Sequence, residues 1–247
     1  MRAMILAAGR GERMRPLTDD CPKPLLQAGG KALIVWHIEA LVAAGIRELV
    51  INHAWLGARL EAAIGDGSRW GAQIRWSAEP EALETAGGIV QALPLLTENQ
   101  SAETPFAVLN GDVWTDYDRH RLPQIARQVI ARGLDAWCIL VPNPVHHPEG
   151  DFLLAADRLV PEDPDGQAQR LTFSGLGVYT PRLFAGLAAG TRAALAPRLR
   201  AAIGARRAGG ECHAGAWVDV GTPERLIELD ARLADRLEPP FLPSGAS

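Results

Sequence analysis

The sequence predicts an α/β protein with a central, mostly parallel mixed sheet flanked by helices, folded as a single domain over residues 1–236. Short apolar runs alternate with helical patterns through the first half, which is typical of βα units, and no linker or internal repeat divides the 247 residues. The composition, with 47% hydrophobic and 22% charged residues, is that of an ordinary globular protein. Disordered, collagen-like and coiled-coil chains are thereby excluded.

Five buried strands are predicted in the first half, because each run is short and rich in apolar residues. They cover residues 3–7, 48–52, 73–76, 106–109 and 136–141. Apolar residues at helical spacing predict helices over 32–44 and 56–64, and Gly45 and Gly65 stand where helix-ending glycines are expected.

The second half is less regular and predicts a sheet insertion followed by Ala-rich helices. The strands are expected over 151–160 and 171–179, and the helical pieces lie within 183–205, interrupted at Gly190 and Pro197. Trp36, Trp55 and Trp137 fall in apolar patterns and are predicted to lie in the core.

The last predicted helix begins at Thr222, Pro223 and Glu224. These residues supply a hydroxyl N-cap, a proline at the first helical position and an acid near the positive end of the helix dipole. The helix is predicted to run to Arg236, and residues 237–247 are predicted to form a disordered tail.

Charge and cysteine content restrict the partners. The net charge of −4 argues against a general nucleic-acid binder, since that affinity comes from clustered positive charge. The three cysteines lie far apart without CxxC spacing and indicate neither a disulfide framework nor a zinc site. The apolar stretch over residues 3–8 is too short for a signal peptide or a membrane span. We therefore expect a cytoplasmic protein with no membrane partner.

The segment after the first predicted strand has the layout of a phosphate-binding loop. In AMILAAGRGERMRPLT, Gly9 and Gly11 allow backbone amides to approach an anion. The P-loop pattern fails because no lysine follows these glycines at the required spacing. Met14 stands where the dinucleotide-binding pattern requires a third glycine, which disfavours a dehydrogenase.

Lys23 is one of only two lysines in the chain and lies between Pro22 and Pro24. The flanking prolines stiffen the backbone, so the ammonium group can be held against a fixed target. From these residues alone, a solvated basic loop remains an alternative.

The composite motif LAAGRGERMRPLTDDCPKPLL resembles the signature of the sugar-1-phosphate nucleotidyltransferases, and the resemblance continues to about Arg236. It implies a Rossmann-like nucleotidyltransferase fold. It also implies that the backbone around Gly9, Gly11 and Glu12 wraps a nucleoside triphosphate. Arg13 would neutralise the β- and γ-phosphates, and Lys23 would lie near the α-phosphate that is attacked.

Two acidic residues match the metal-binding aspartates of this family. Asp112 follows the predicted strand FAVLN at the kind of sheet edge where ligands collect, and the preceding Asn110 would contact the nucleotide. Asp219 stands in WVDVGT among apolar neighbours, where an unpaired carboxylate is unfavourable. The resemblance implies that both carboxylates hold Mg²⁺ and that Asp112 takes part in catalysis. The residues alone leave a turn residue and a helix cap as alternatives.

The resemblance also covers substrate recognition. The segment EPEALETAGGI matches the base-recognition loop, in which the backbone of Gly87 and Gly88 would approach the base and a helix would start at Ala86. Glu84 stands where many relatives have glycine, which leaves a guanine or thymine preference unassigned. Asn143 and Asp151, in NPVHHPEGDF, would hydrogen-bond the sugar.

Among members of the family, these motifs most resemble the uridylyltransferases of N-acetylmuramate 1-phosphate, which serve peptidoglycan recycling. The resemblance implies UTP and a sugar 1-phosphate as substrates, with Mg²⁺ as cofactor, in a monomer or weak homo-oligomer. No side-chain base is required, because the attacking phosphate is already largely dianionic at neutral pH. A mannose or heptose 1-phosphate guanylyltransferase and a non-catalytic nucleotide-sugar sensor remain alternatives.

Overall fold

The computed structural model describes residues 1–237 except residues 102 and 164. Within these residues the strands are β1 (Ala3–Leu6), β2 (Gln27–Ala28), β3 (Lys31–Ala32), β4 (Glu48–His53), β5 (Gln73–Ala78), β6 (Phe106–Asn110), β7 (Val113–Thr115), β8 (Ala136–Val141), β9 (Phe152–Ala155), β10 (Arg158–Val160), β11 (Gln169–Tyr179), β12 (Ala208–Cys212) and β13 (Trp217–Asp219). The α-helices are α1 (Leu33–Ala43), α2 (Gly57–Ile64), α3 (Glu84–Thr97), α4 (Leu122–Ala131), α5 (Ala196–Gly204) and α6 (Pro223–Leu237).

One nine-stranded sheet in the order β5-β4-β1-β6-β11-β8-β12-β10-β9 organises the described residues. The first four strands pair in parallel, as expected of βα units, so their carboxyl ends lie at the same edge. Strand β11 pairs antiparallel with β6 and β8, whereas β12 is parallel to β8. The predicted mixed sheet flanked by helices is confirmed.

Strand β9, the last in the order of the sheet, also pairs with β11. The first residues of β11 pair with β9, the following ones pair with β8, and those beyond a register shift between Phe173 and Leu176 pair with both β8 and β6. Strands β9 and β10 form a hairpin at the point where a single strand over 151–160 was predicted. Ala156 has a left-handed φ of 53°, and the chain turns there.

Helices cover both faces of the sheet. Apolar residues of α1, α2 and α4 pack on one face, and those of α3 and α5 pack on the other. A third cluster joins α6 to Met14, Trp114 and Val220, beside the small ladder of β7 and β13. This third cluster fixes the C-terminal helix against the segment that follows the glycine-rich loop.

Four local predictions were wrong. Only the second Ala-rich piece forms an α-helix, because Gly186 and Gly190 adopt φ of 81° and 79° and the chain turns between them. Pro197 lies in the first turn of α5, where a proline needs no partner for its missing N–H, and does not interrupt the helix. Trp55, predicted to lie in the core, is 39% exposed. Helix α3 begins at Glu84, before its predicted start at Ala86. Residues 238–247 of the predicted tail lie outside the described residues.

Candidate active site

The carboxyl ends of the parallel strands border a cavity of about 210 Å³. Because β1, β4 and β6 run in the same direction, the residues that follow each strand meet at one edge. The residues that line the cavity come from the glycine-rich segment, these strand ends and the start of α3: Leu6, Ala7, Ala8, Gly9, Lys23, Pro24, Asn52, Ala82, Glu84, Thr85, Asn110 and Asp112. Four of the predicted site residues therefore meet at one cavity.

Lys23 and Asp112 form an ion pair in this cavity. The ammonium Nζ lies 2.6 Å from Asp112 Oδ2, and the lysine side chain is only 8% exposed. Lys23 opens a short 3-10 helix, Lys23–Leu25, in which the Leu25 N–H donates to the Pro22 carbonyl at 2.8 Å. The backbone that carries the ammonium group is thus fixed, and the group itself lies at the carboxyl ends of the strands.

The glycine-rich segment is folded tightly beside the cavity. Gly11 has a φ of 68°, and a Cβ atom placed on it would lie 2.9 Å from Thr18 Cγ2. The Thr18 hydroxyl donates to the Gly11 carbonyl at 2.8 Å. A side chain at position 11 would therefore be strained in both backbone and packing. Glu12 and Arg13 are the exposed residues of the 3-10 helix that follows, and they do not line the cavity.

A buried network beneath the cavity was missed by the sequence analysis. Asn52 Oδ1 accepts from the Ala7 N–H at 2.9 Å, and Asn52 Nδ2 donates to Glu79 Oε1 at 2.6 Å. Glu79 Oε2 accepts from the Leu83 N–H at 2.9 Å. The network ties Ala7, at the start of the glycine-rich segment, to the residues that precede α3. Asn52 is the next-to-last residue of β4 and Glu79 directly follows β5, so the sequence signal is a polar residue at the carboxyl end of a strand.

Asp219 lies beside Asp112 although the two are far apart in sequence. In the ladder of β7 and β13, Asp219 pairs with Val113, and the Val220 N–H donates to the Asp112 carbonyl at 3.0 Å. Arg225 Nη1 donates to Asp219 Oδ2 at 2.8 Å. A Cβ atom placed on Gly221 would lie 3.3 Å from Asp219 Oδ2 and 3.4 Å from Arg13 Nη2. The ladder therefore brings Asp219 and Arg13 to the same end of the sheet as Asp112.

The two aspartates fit a magnesium ion by the chemistry of their donor atoms. Mg²⁺ takes one or two carboxylates and completes its shell with waters and substrate phosphate oxygens. The described residues contain no cluster of three or more protein ligands, and such an ion does not need one. Asp112 and Asp219 are the residues that would hold it, and both have partly exposed side chains.

Gly87 and Gly88 lie in the first turns of α3 and do not line the cavity. The Gly87 N–H donates to the Ala193 carbonyl at 3.0 Å. A Cβ atom on Gly88 would lie 2.6 Å from Glu79 Oε1. These glycines thus permit close packing within the protein. Their predicted contact with the base remains a prediction.

A second cavity, of about 410 Å³, adjoins the first and shares Glu84, Thr85 and Asn110 with it. Asp151 lines the second cavity, where its Oδ2 accepts from the Phe173 N–H at 2.8 Å. Asn143 does not line it. Its amide donates to the Pro148 and Arg170 carbonyls and accepts from the Thr172 hydroxyl, which ties down the loop.

A histidine lies buried behind the Asp112 segment. Burial lowers the pKa of His37 to about 3, and the nearby Arg119 cation acts in the same direction. Burial also lowers the pKa of Arg119, to about 10, so this guanidinium stays charged at neutral pH. His37 is therefore neutral and belongs to the support of the site.

Known proteins resemble this chain over almost its whole length. Residues 2–236 match the family model described as nucleotidyl transferase. An N-acetylmuramate alpha-1-phosphate uridylyltransferase of Neisseria meningitidis serogroup B is 53% identical over 232 residues, which cover 94% of this chain and 97% of that protein. The enzyme of the same name from Caulobacter vibrioides is 33% identical over 241 residues, with coverage of 94% and 97%.

Two further similarities are more limited. The catalytic subunit beta of mannose-1-phosphate guanylyltransferase from Danio rerio is 42% identical over 118 residues, but these cover 47% of this chain and 32% of that protein. A Bacillus anthracis crystal structure assigned as a glucose-1-phosphate thymidylyltransferase has the same fold, with a TM-score of 0.75 at 22% identity. The match covers 95% of this chain and 96% of the Bacillus anthracis chain.

Proposed function

The chain belongs to the nucleotidyl transferase family, and on that premise we propose that it transfers UMP from UTP to N-acetylmuramate 1-phosphate. The products are the UDP-sugar and pyrophosphate. The uridylyltransferases that are 53% and 33% identical across nearly their whole length support this choice of nucleotide and sugar. N-acetylmuramate is a peptidoglycan sugar, so the reaction fits a role in peptidoglycan recycling.

In the proposed reaction a phosphate oxygen of the sugar 1-phosphate attacks the α-phosphorus of UTP. The bond from the α-phosphorus to the bridging oxygen breaks, and pyrophosphate leaves with its electron pair. The attacking phosphate needs no side-chain base, because its second pKa is about 6. Alignment of the nucleophile with the leaving group and neutralisation of charge are the tasks left to the protein.

The residues of the first cavity are suited to those tasks. Lys23 points its ammonium group at the strand ends, where it would hold the α-phosphate, and Gly9 leaves room for the triphosphate. Arg13, beside Asp219, would neutralise the leaving phosphates. Asp112 and Asp219 would hold Mg²⁺, which when bound supplies further neutralisation of the phosphate charge. The sugar would occupy the second cavity, next to Asp151.

The observation that carries this proposal is the convergence of Lys23, Asp112 and Asp219 at one sheet edge beside two joined cavities. A pyrophosphate-release assay with millimolar Mg²⁺ tests it. UTP, GTP, CTP and dTTP are each paired with the 1-phosphates of N-acetylmuramate, N-acetylglucosamine, glucose and mannose. The highest kcat/KM is expected for UTP with N-acetylmuramate 1-phosphate.

Two alternatives give different results in the same assay. The similarity to a guanylyltransferase over 118 residues favours GTP with mannose or heptose 1-phosphate as the second candidate. A non-catalytic sensor would bind nucleotide and release no pyrophosphate. The Lys23–Asp112 pair argues against the sensor, since binding alone does not require a charged pair directed into the cavity.

We place the protein in the cytoplasm as a monomer or weak homo-oligomer. All three cysteines are free thiols, in agreement with a reducing compartment. Among the described helices, none combines the length and the apolar character needed to cross a bilayer.

A further inference from the structure

N-acetylmuramate 1-phosphate carries a carboxylate on its lactyl ether in addition to the phosphate. The following inference rests on the proposed function, because it concerns how that carboxylate is recognised. The second cavity already contains the side chains of Glu84 and Asp151 in its lining. A third carboxylate at this place would be repelled unless a cation lies close by.

Arg192 is a cation at the rim of this cavity. Its Nε lies 2.9 Å from Glu84 Oε1, and Glu84 lines both cavities. The Arg192 side chain is 73% exposed, and Glu84 is its ion-pair partner within the described part of the chain. It can therefore present two N–H groups to a carboxylate in the bidentate geometry that arginine favours.

The backbone next to Arg192 is fixed against α3. The Ala193 N–H donates to the Leu83 carbonyl at 3.0 Å, and the Ala193 carbonyl accepts from the Ala86 N–H at 2.9 Å. Residues 194–196 then line the second cavity. The backbone that carries the arginine side chain is thus fixed next to the cavity lining.

The conformation of Glu84 indicates that its side chain is needed. Glu84 has a φ of 60°, a left-handed conformation that residues with a Cβ atom adopt at a cost. Strained backbone of this kind at a cavity is typical of functional sites. Among the described residues, the carboxylate of Glu84 forms its ion pair with Arg192. Glu84 thus holds the guanidinium at the junction of the two cavities.

From these contacts we infer that Arg192 binds the lactyl carboxylate and selects the carboxylate-bearing sugar. His147 is the competing cationic candidate, since its Nε2 lies 3.2 Å from Asp151 Oδ1. Its ring is directed at a residue that lines the sugar side of the cavity. Arg192 is better suited, because a guanidinium is charged at every physiological pH and matches a carboxylate with two parallel hydrogen bonds.

The test compares N-acetylmuramate 1-phosphate with N-acetylglucosamine 1-phosphate, which lacks only the lactyl ether. The measured quantity is the ratio of the two kcat/KM values with saturating UTP. Arg192→Gln is expected to lower this ratio by about 10- to 100-fold, through a raised KM for the muramate, as for the loss of a charge-assisted hydrogen-bonded pair. Arg192→Lys should restore part of the ratio, because it keeps the charge but loses the planar fork.

Arg198→Gln is the matched control, since Arg198 is partly exposed, donates to the Ala185 carbonyl at 3.2 Å and does not line the cavity. Its ratio should equal that of the wild type. A ratio within threefold of wild type for Arg192→Gln would overturn the inference and leave the proposed function intact. The inference would likewise be overturned, with the proposed function intact, if His147→Gln lowered the ratio and Arg192→Gln left it unchanged. A wild-type enzyme without preference for the muramate would overturn the proposed substrate, and the inference with it.

Discussion

Replacement of Lys23 by alanine is expected to lower turnover by about 10²- to 10³-fold. The Lys23 side chain is 8% exposed, and its ammonium lies 2.6 Å from Asp112 Oδ2 at the edge of the first cavity. A positive charge in this position interacts with a phosphate through few intervening waters. The other lysine of the chain, Lys31, cannot take its place, because it pairs with Glu39.

The magnitude follows from the burial of the charge. Two unit charges about 4 Å apart interact with roughly 4 kcal/mol at an effective dielectric constant near 20. Loss of one preorganised electrostatic donor typically raises the barrier by about 2.7–4 kcal/mol, which corresponds to the stated range of rates. The stability should change less, because the Asp112 side chain that loses its partner is 37% exposed and can be hydrated.

Pyrophosphate release with saturating UTP and sugar 1-phosphate measures kcat directly. The matched control is Lys31→Ala, which removes the other lysine, whose ammonium stands 3.9 Å from the centroid of the Trp36 ring. This control is expected to keep turnover within twofold of wild type. If Lys23→Ala also turned over within threefold of wild type, Lys23 would have no part in the chemistry and the reasoning from its burial would be refuted.

Three further predictions concern the metal site, the buried network and the pH dependence. Asp219→Asn should lower kcat by about 100-fold or more in the same assay, since it weakens a magnesium ligand beside Asp112. Gly88→Ala should lower the free energy of unfolding in urea by about 1–3 kcal/mol and raise the KM for UTP, because its Cβ would lie 2.6 Å from Glu79 Oε1. The wild type should lose about 2 kcal/mol of stability through His37 between pH 7.5 and pH 5, measured by urea unfolding. The pKa of His37 falls on folding, so the unfolded chain takes up the proton first and stability decreases as the pH drops below about 6.5.

Matched variants distinguish these effects from general damage. Asp157→Asn breaks a comparable ion pair, in which Asp157 Oδ2 lies 2.7 Å from Arg132 Nη1. Neither residue lines the first or the second cavity, so this variant should keep full turnover. Gly204→Ala places a Cβ in open space in α5 and should be neutral or stabilising. His37→Leu should flatten the pH profile of stability, and His120→Gln, at an exposed position, should not. The prediction for the metal site would be contradicted if Asp157→Asn lost as much activity as Asp219→Asn. The prediction for the buried network would be contradicted if Gly88→Ala and Gly204→Ala were equally stable. The pH prediction would be contradicted if the stability of His37→Leu kept the pH slope of the wild type.

Much of the framework was predictable from short stretches of sequence. The apolar runs marked β1, β4, β5, β6 and β8 to within two residues at either end, and Thr222 with Pro223 marked the start of α6. The prolines around Lys23 indicated a fixed side chain, and the structure holds it in an ion pair with Asp112. These signals act within one strand, one turn or one helix start. They need no knowledge of the rest of the chain.

Distant pairings were decided by the tertiary structure alone. Asp219 reaches Asp112 through an antiparallel ladder of three residues a side. Neither segment carries a sequence signal that predicts the other as its partner. Asn52 and Glu79 become one network only because β4 and β5 lie side by side. The pairing of Arg192 with the left-handed Glu84 likewise depends on the docking of two separate segments.

The sequence by itself determined which residues are apolar, charged or stiff, and hence where β1, β4, β5, β6 and β8 lie and where α6 begins. The tertiary structure decided which charges meet, which tryptophan remains exposed and which Ala-rich segment becomes helical. The physical reason is range: backbone propensity and periodicity act over a few residues. Ion pairs, cavities and buried networks depend instead on how elements from distant parts of the chain pack against one another.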